Sequence, residues 1–142
     1  MTKLTLAAAN TMIEAAFRKG AEAGLKPLTV VVLDAGGHPK ALQKQDGSSM
    51  MRFEIAAGKA FGALAVGMDS RWLEQTAKDR PHFIEGLNSV SRGRIVPVPG
   101  GVLIRDEAGD VLGAVGITGD TSDNDEMCAI AGVETAGFVA GR

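Results

Sequence analysis

Lys59 interrupts the apolar run Ile55-Ala56-Ala57-Gly58-Lys59-Ala60-Phe61 and so asks for a partner. Its ammonium must snorkel to water, pair with an acid, or meet an anionic ligand. The first two outcomes are the structural default. The third gains from Gly100-Gly101, which follow two prolines and could present backbone N–H groups to the same carboxylate-sized target. With His82 or Asp125 to move a proton, Lys59 and this glycine turn would suit cofactor-free acid–base chemistry on a small carboxylic acid. Isomerisation, hydration or lyase cleavage are the reaction types, and Lys59, His82 and Asp125 the candidate catalytic set.

The other reactive side chains narrow the field. His38 and His82 are the two histidines, and no His/Cys/Asp/Glu group has zinc-ligand spacing, so no metal site is expected. His82 lies in Pro81-His82-Phe83, read as part of an irregular segment where functional residues concentrate, and ranks above His38, which reads as a solvated turn residue. Cys128 sits among small apolar residues with no activating base in view, which discounts covalent catalysis. Asp120, Asp123 and Asp125 precede the last helix, and capping it explains them more simply than catalysis does. Gly113, Gly116 and Gly119 have G-x-x-G-x-x-G spacing inside a strand, not the strand–turn–helix order of a dinucleotide fingerprint. Such glycines let a helix or a flat ligand press against the sheet, and packing is the simpler of the two.

Helical spacing of Leu6, Ala9, Ile13, Ala16 and Phe17 predicts an amphipathic first helix, with Gly24 as its terminator. Leu28 to Leu33 is a nearly continuous β-branched run. Asp34-Ala35-Gly36-Gly37 then turns the chain into a second strand, His38 to Lys44. Met50 to Val66 reads as a buried small-residue helix and Asp69-Ser70 as the cap of a short one ending near Pro81. The stretch from Pro81 to Gly93 reads as loop with a helical turn. Strands are expected at Ile95 to Val98, Val102 to Arg105 and Val111 to Thr118, before a last helix carrying Met127, Ile130, Val133 and Phe138. The expected order is α-β-β-α-α-β-β-β-α. Hairpin connections predict an α+β fold: a mostly antiparallel sheet of about five strands flanked by helices, in a single domain over 1–142.

Composition excludes several functions. Fifteen basic and seventeen acidic residues leave a net charge of -2, which gives nucleic acid or anionic lipid nothing to grip. Five Phe, one Trp and no Tyr offer few stacking platforms for bases. One cysteine and no long apolar segment point to a reducing cytoplasm and to no membrane span.

Taken in order, Val30 to Gly37, Asp46-Gly47, Ala56 to Ala60 with Lys59-Ala60, Pro99-Gly100-Gly101, and Gly113 to Gly119 followed by Asp125 resemble the GlcG/HbpS family. These are haem-binding-like proteins, and the family also supplies the C-terminal domain of PduO-type cobalamin adenosyltransferases. The resemblance implies an antiparallel sheet flanked by helices, homo-oligomers, and in some members haem binding with weak haem-degrading activity or a regulatory partner. It makes haem or a related tetrapyrrole the leading small-molecule ligand. His82, His38, Met50 and Met51 are then the side chains able to supply an axial atom. Lys59 or an arginine would pair a propionate, beside Gly100, Gly101 and Gly116. Where the family commonly has Arg-Met before the Asp-Gly pair, this chain has Lys44-Gln45, and its first helix carries no histidine. The small-acid enzyme stands as the alternative, and a non-catalytic assembly module as the third reading.

Overall fold

The alternation Val30-Val31-Val32-Leu33 puts successive side chains on opposite faces of a strand, and both faces are apolar, so both must be covered. In the computed structural model, which describes residues 3–141, they are covered by different helices. The elements are α1 (Leu6–Glu22), β1 (Thr29–Asp34), β2 (Pro39–Lys44), α2 (Arg52–Val66), α3 (Ser70–Asp79), α4 (Pro81–Val90), β3 (Gly101–Arg105), β4 (Val111–Thr118), α5 (Ser122–Thr135) and β5 (Val139–Ala140). The strands form one antiparallel sheet in the order β2-β1-β4-β3-β5, and the fold is α+β as the hairpin pattern predicts.

Val30, Val32, Val102, Ile104, Val115 and Ile117 face α1 and α5, which supply Met12, Ile13, Cys128 and Val133. Val31, Leu33, Leu103 and Ala114 face Ala56, Ala60 and Ala63 of α2. Each fully buried Val, Ile or Leu contributes roughly 1.5–3 kcal/mol of transfer free energy. A smaller cluster of Leu73, Ile84 and Ile95 packs α3 and α4 beside α2.

The small residues of α2 have a specific purpose. A Cβ on Gly116 would overlap the Ala56 carbonyl, and one on Gly101 the Lys59 carbonyl. Bare backbone on β3 and β4 lets the helix lie directly on the sheet, which is the packing reading of these glycines. Thr5 caps α1 by accepting from Ala8 N at 3.1 Å, and Gly24 ends it in the left-handed region.

Three local assignments shift within this class. Pro81 to Val90 is a full helix with proline in its first turn, where the missing N–H has no partner to lose. Ile95 to Val98 is not a strand, because Pro97 and Pro99 remove the donors a ladder needs. The fifth strand is instead the short Val139–Ala140, paired with β3. Among the described residues no helix is long and apolar enough to cross a membrane.

Candidate functional site

Lys59 starts on the α2 face of the sheet and ends on the other side of it. Its side chain passes the end of β4, where Nζ donates to Ile117 O at 2.9 Å and to Asp125 Oδ2 at 3.1 Å. Asp125 belongs to the first turn of α5, so this ion pair ties the two helical layers together around the sheet. Gly100 makes room for it, since a Cβ there would stand 2.9 Å from Nζ. Lys59 is 2% exposed and Asp125 1%. Burial pushes the lysine below its ordinary range against the pull of Asp125, and pushes the Asp125 carboxyl up against the pull of Lys59. The second carboxylate oxygen accepts from Asp120 N at 3.0 Å.

The glycine turn is likewise occupied from within. Gly101 N donates to Ser70 Oγ at 2.7 Å, and the preceding residue, Asp69, accepts from Leu103 N through Oδ1. Lys59, Asp125, Gly100, Gly101 and Gly116 therefore meet at one buried seam. His38, His82 and Met50 lie elsewhere. His82 is exposed on the first turn of α4, and Met50 is 85% exposed just before α2. His38 is exposed on the β1–β2 turn, its Nδ1 3.6 Å from Asp34 Oδ1. The Asp34 carboxyl is held below its usual range chiefly by the His38 N–H that it accepts.

A different concavity opens beside this seam. A pocket of about 420 Å³ lies between Leu33, Gly37 and Pro39 of the β1–β2 hairpin, the outer side of α2, and the segment 93–96. Its walls are mainly apolar: Phe53, Ile55, Ala57 and Phe61 come from the helix, Met51 from the residue just before it, and Val96 from the segment. Gly58 admits that segment, since a Cβ would press on Val96 Cγ2 at 2.5 Å. Arg94 supplies a cation in the lining, 4.1 Å from the Phe61 ring centroid and anchored by Nε to Ser91 O. Glu54 is the one acid among the lining residues.

Sequence reasoning named Met51 among the side chains able to supply an axial atom but did not single out Phe61, Arg94 or Val96. The available signal was Phe53, Ala57 and Phe61 at i, i+4, i+8, a second apolar stripe on a helix whose first stripe already faces the sheet. Among the described residues no group of three or more His, Cys, Asp or Glu could hold a bare metal ion.

A family description for a haem degrading protein, HbpS-like, matches residues 4–134. The chain belongs to the HbpS-like family. It is 29% identical over 126 residues to the uncharacterized 15.0 kDa protein in the dhaT-dhaS intergenic region of Citrobacter freundii, covering 89% of this chain and 87% of that one. The crystal structure of Klebsiella pneumoniae protein ORFY shares 25% identity, with a TM-score of 0.85 over 96% of this chain and 92% of that one. The fold also matches the crystal structure of a PduOC:heme complex, with a TM-score of 0.85 at 22% identity over 96% and 97% of the two chains.

Proposed function

We propose that this protein binds a flat, largely apolar small molecule with an acidic edge, haem or a related tetrapyrrole, in the pocket between the β1–β2 hairpin, α2 and the segment 93–96. The observation that carries the reading is the pocket's chemistry: apolar walls, the cation of Arg94, and the soft thioether of Met51. Its volume lies within the range usual for small-molecule sites. A tetrapyrrole needs apolar walls for its faces, a cation for its carboxylates and one side-chain donor for its metal, so these residues fit the group. Kinship with HbpS-like proteins and the fold shared with the PduOC:heme complex support it.

Bound haem would supply an iron centre for redox chemistry with dioxygen or peroxide, the basis on which weak haem degradation would extend to this chain. The protein's part is binding and exclusion of water. Phe53, Ile55 and Phe61 would cover the ring, and Arg94 would pair a carboxylate. Met51 lines the pocket, and His38 stands between two residues that line it, which makes these two better placed as axial donors than His82 or Met50. Met51 and Phe53, which line the pocket, are exposed, as is the adjacent Met50, so the proposal includes a homo-oligomer in which a second copy covers them. The small-acid enzyme requires Lys59 and Asp125 to meet a substrate, and neither lines the apolar pocket.

Titration with haemin followed by absorption tests the reading. A saturable Soret shift at one haem per chain is expected, lost in Met51→Ala or His38→Ala, blocked by the pocket-filling Ala57→Phe, and unchanged in His82→Ala. No saturable shift, or one indifferent to all four substitutions, would overturn it.

A further inference from the structure

The α2 face of the sheet is apolar except at one end. There the pairing register places Lys44, Thr29 and Thr118 side by side on β2, β1 and β4. Directly opposed residues share a face, and Thr29 follows the alternation of Val31 and Leu33, so this row lies toward the start of α2. Arg52 reaches over it: one terminal guanidinium nitrogen donates to Thr118 Oγ1 at 3.0 Å and Nε donates to Ser49 Oγ at 3.1 Å. The remaining terminal nitrogen makes no hydrogen bond among the described residues.

Two hydroxyls here are conspicuous. Thr29 is completely buried, yet its Oγ1 has no hydrogen-bond partner among the described residues, and the buried Oγ of Ser48 has none either. A buried hydroxyl without a partner is destabilising, and valine would fill the position at Thr29 without that penalty. A partner that is not part of the chain explains why threonine stands there. The surroundings define its charge. Arg52 and Lys44 are cationic, and no side chain caps the start of α2, whose dipole favours an anion, with Arg52 N already donating to Ser49 O and Glu54 lying in the same first turn on the side of the apolar pocket. The nearby Asp125 carboxylate is already paired with Lys59.

We propose that Arg52, Thr118, Thr29 and Ser48 form a binding site for a small oxyanion, a carboxylate or a phosphate, between the polar end of the sheet and the start of α2. Arg52 supplies the charge and a planar fork of donors, and the hydroxyls supply directed hydrogen bonds. The site is separate from the apolar pocket, which lies against Met51, Phe53 and Ile55, and it does not depend on the haem reading.

Thermal unfolding and calorimetric titration with inorganic phosphate, and separately with acetate, would test it, with chloride holding the ionic strength constant. The wild type is expected to show saturable binding and a rise in Tm with at least one of the two anions, and the tighter one names the class. Arg52→Met should weaken binding at least about tenfold, the loss expected for a charge-assisted contact, and Arg52→Lys should recover part of it. Thr29→Val should also weaken binding while leaving Tm in chloride equal or higher, and Thr29→Ser should retain it. Ala57→Phe, which fills the apolar pocket, should leave the anion response unchanged. Absence of saturable binding, equal binding by Arg52→Met and Thr29→Val, or a Tm in chloride lowered by Thr29→Val would each overturn the proposal. The last result would mean that the hydroxyl is already satisfied inside the fold.

Discussion

Replacing either member of the Lys59–Asp125 pair should destabilise the protein with opposite dependence on pH. In Asp125→Asn the buried Lys59 loses its counter-charge, and the folded state can keep it only as a neutral amine. Holding a lysine neutral at pH 7 against an ordinary value of 10.5 costs at most about 4.8 kcal/mol. In Lys59→Met the stranded Asp125 must fold protonated, and against its ordinary value of 3.8 the ceiling at pH 7 is about 4.4 kcal/mol. Both figures agree with the roughly 3–5 kcal/mol found when one partner of a buried pair is removed. For a chain of this size they correspond to a fall in Tm of about 15 °C.

The slopes separate this account from simple loss of packing. For Asp125→Asn the unfolded chain binds the extra proton below pH 10.5, so stability should rise by about 1.4 kcal/mol for each pH unit toward that value. For Lys59→Met the folded state binds the extra proton above pH 3.8, so stability should rise by the same amount for each unit toward acid. In the wild type each group opposes the other's shift, and the dependence should be shallow. The double variant Lys59→Met/Asp125→Asn keeps an acceptor for Asp120 N, should be nearly flat with pH, and should cost less than either single change. Urea denaturation at pH 6, 7, 8 and 9 measures all four proteins. Equal slopes for the two single variants, or costs below about 1 kcal/mol, would mean that water reaches the pair and would refute the argument.

Two further expectations follow from the packing. Gly116→Ala puts a methyl against the Ala56 carbonyl, so α2 must move off the sheet. A loss of about 1–3 kcal/mol or more is expected by denaturation, whereas Gly86→Ala, with open space around it, should be neutral or stabilising. Burial pushes the Cys128 thiol up to about 11, so a thiol reagent at pH 8 should leave the folded protein unmodified and react fully once it is unfolded.

The strands were legible where local chemistry decides them. Val30 to Leu33 could only be a strand covered on both sides, and Asp34 to Gly37 could only turn it back. At Ile95 to Val98 β-branched residues outweighed two prolines in the reading, and the prolines decided the structure. The helix 81–90 was obscured because Ile84 is its one fully buried side chain, too little to make a periodic pattern. The partner of Lys59 was not legible at all. Pairing with an acid was one expected outcome, but Asp125 lies 66 residues away on the opposite layer, and only the assembled sheet brings them together. The apolar pocket draws on the hairpin, α2 and the segment 93–96, so no single stretch announces it.

The layer formed by α1 and α5 has a consequence for how the chain is made. α1 and α5 pack against each other although everything from Glu22 to Ser122 is synthesised between them. Met12 and Ile13 of α1 share a core with Val30 and Val32 but complete it only when Cys128, Ala129 and Val133 arrive, and β3 gains its outer neighbour only with Val139–Ala140. A nascent chain halted before α5 would therefore leave the α5-covered part of this face, and the α1 surface that meets α5, exposed to chaperones or aggregation. Docking of α5 is thus the step that closes this layer.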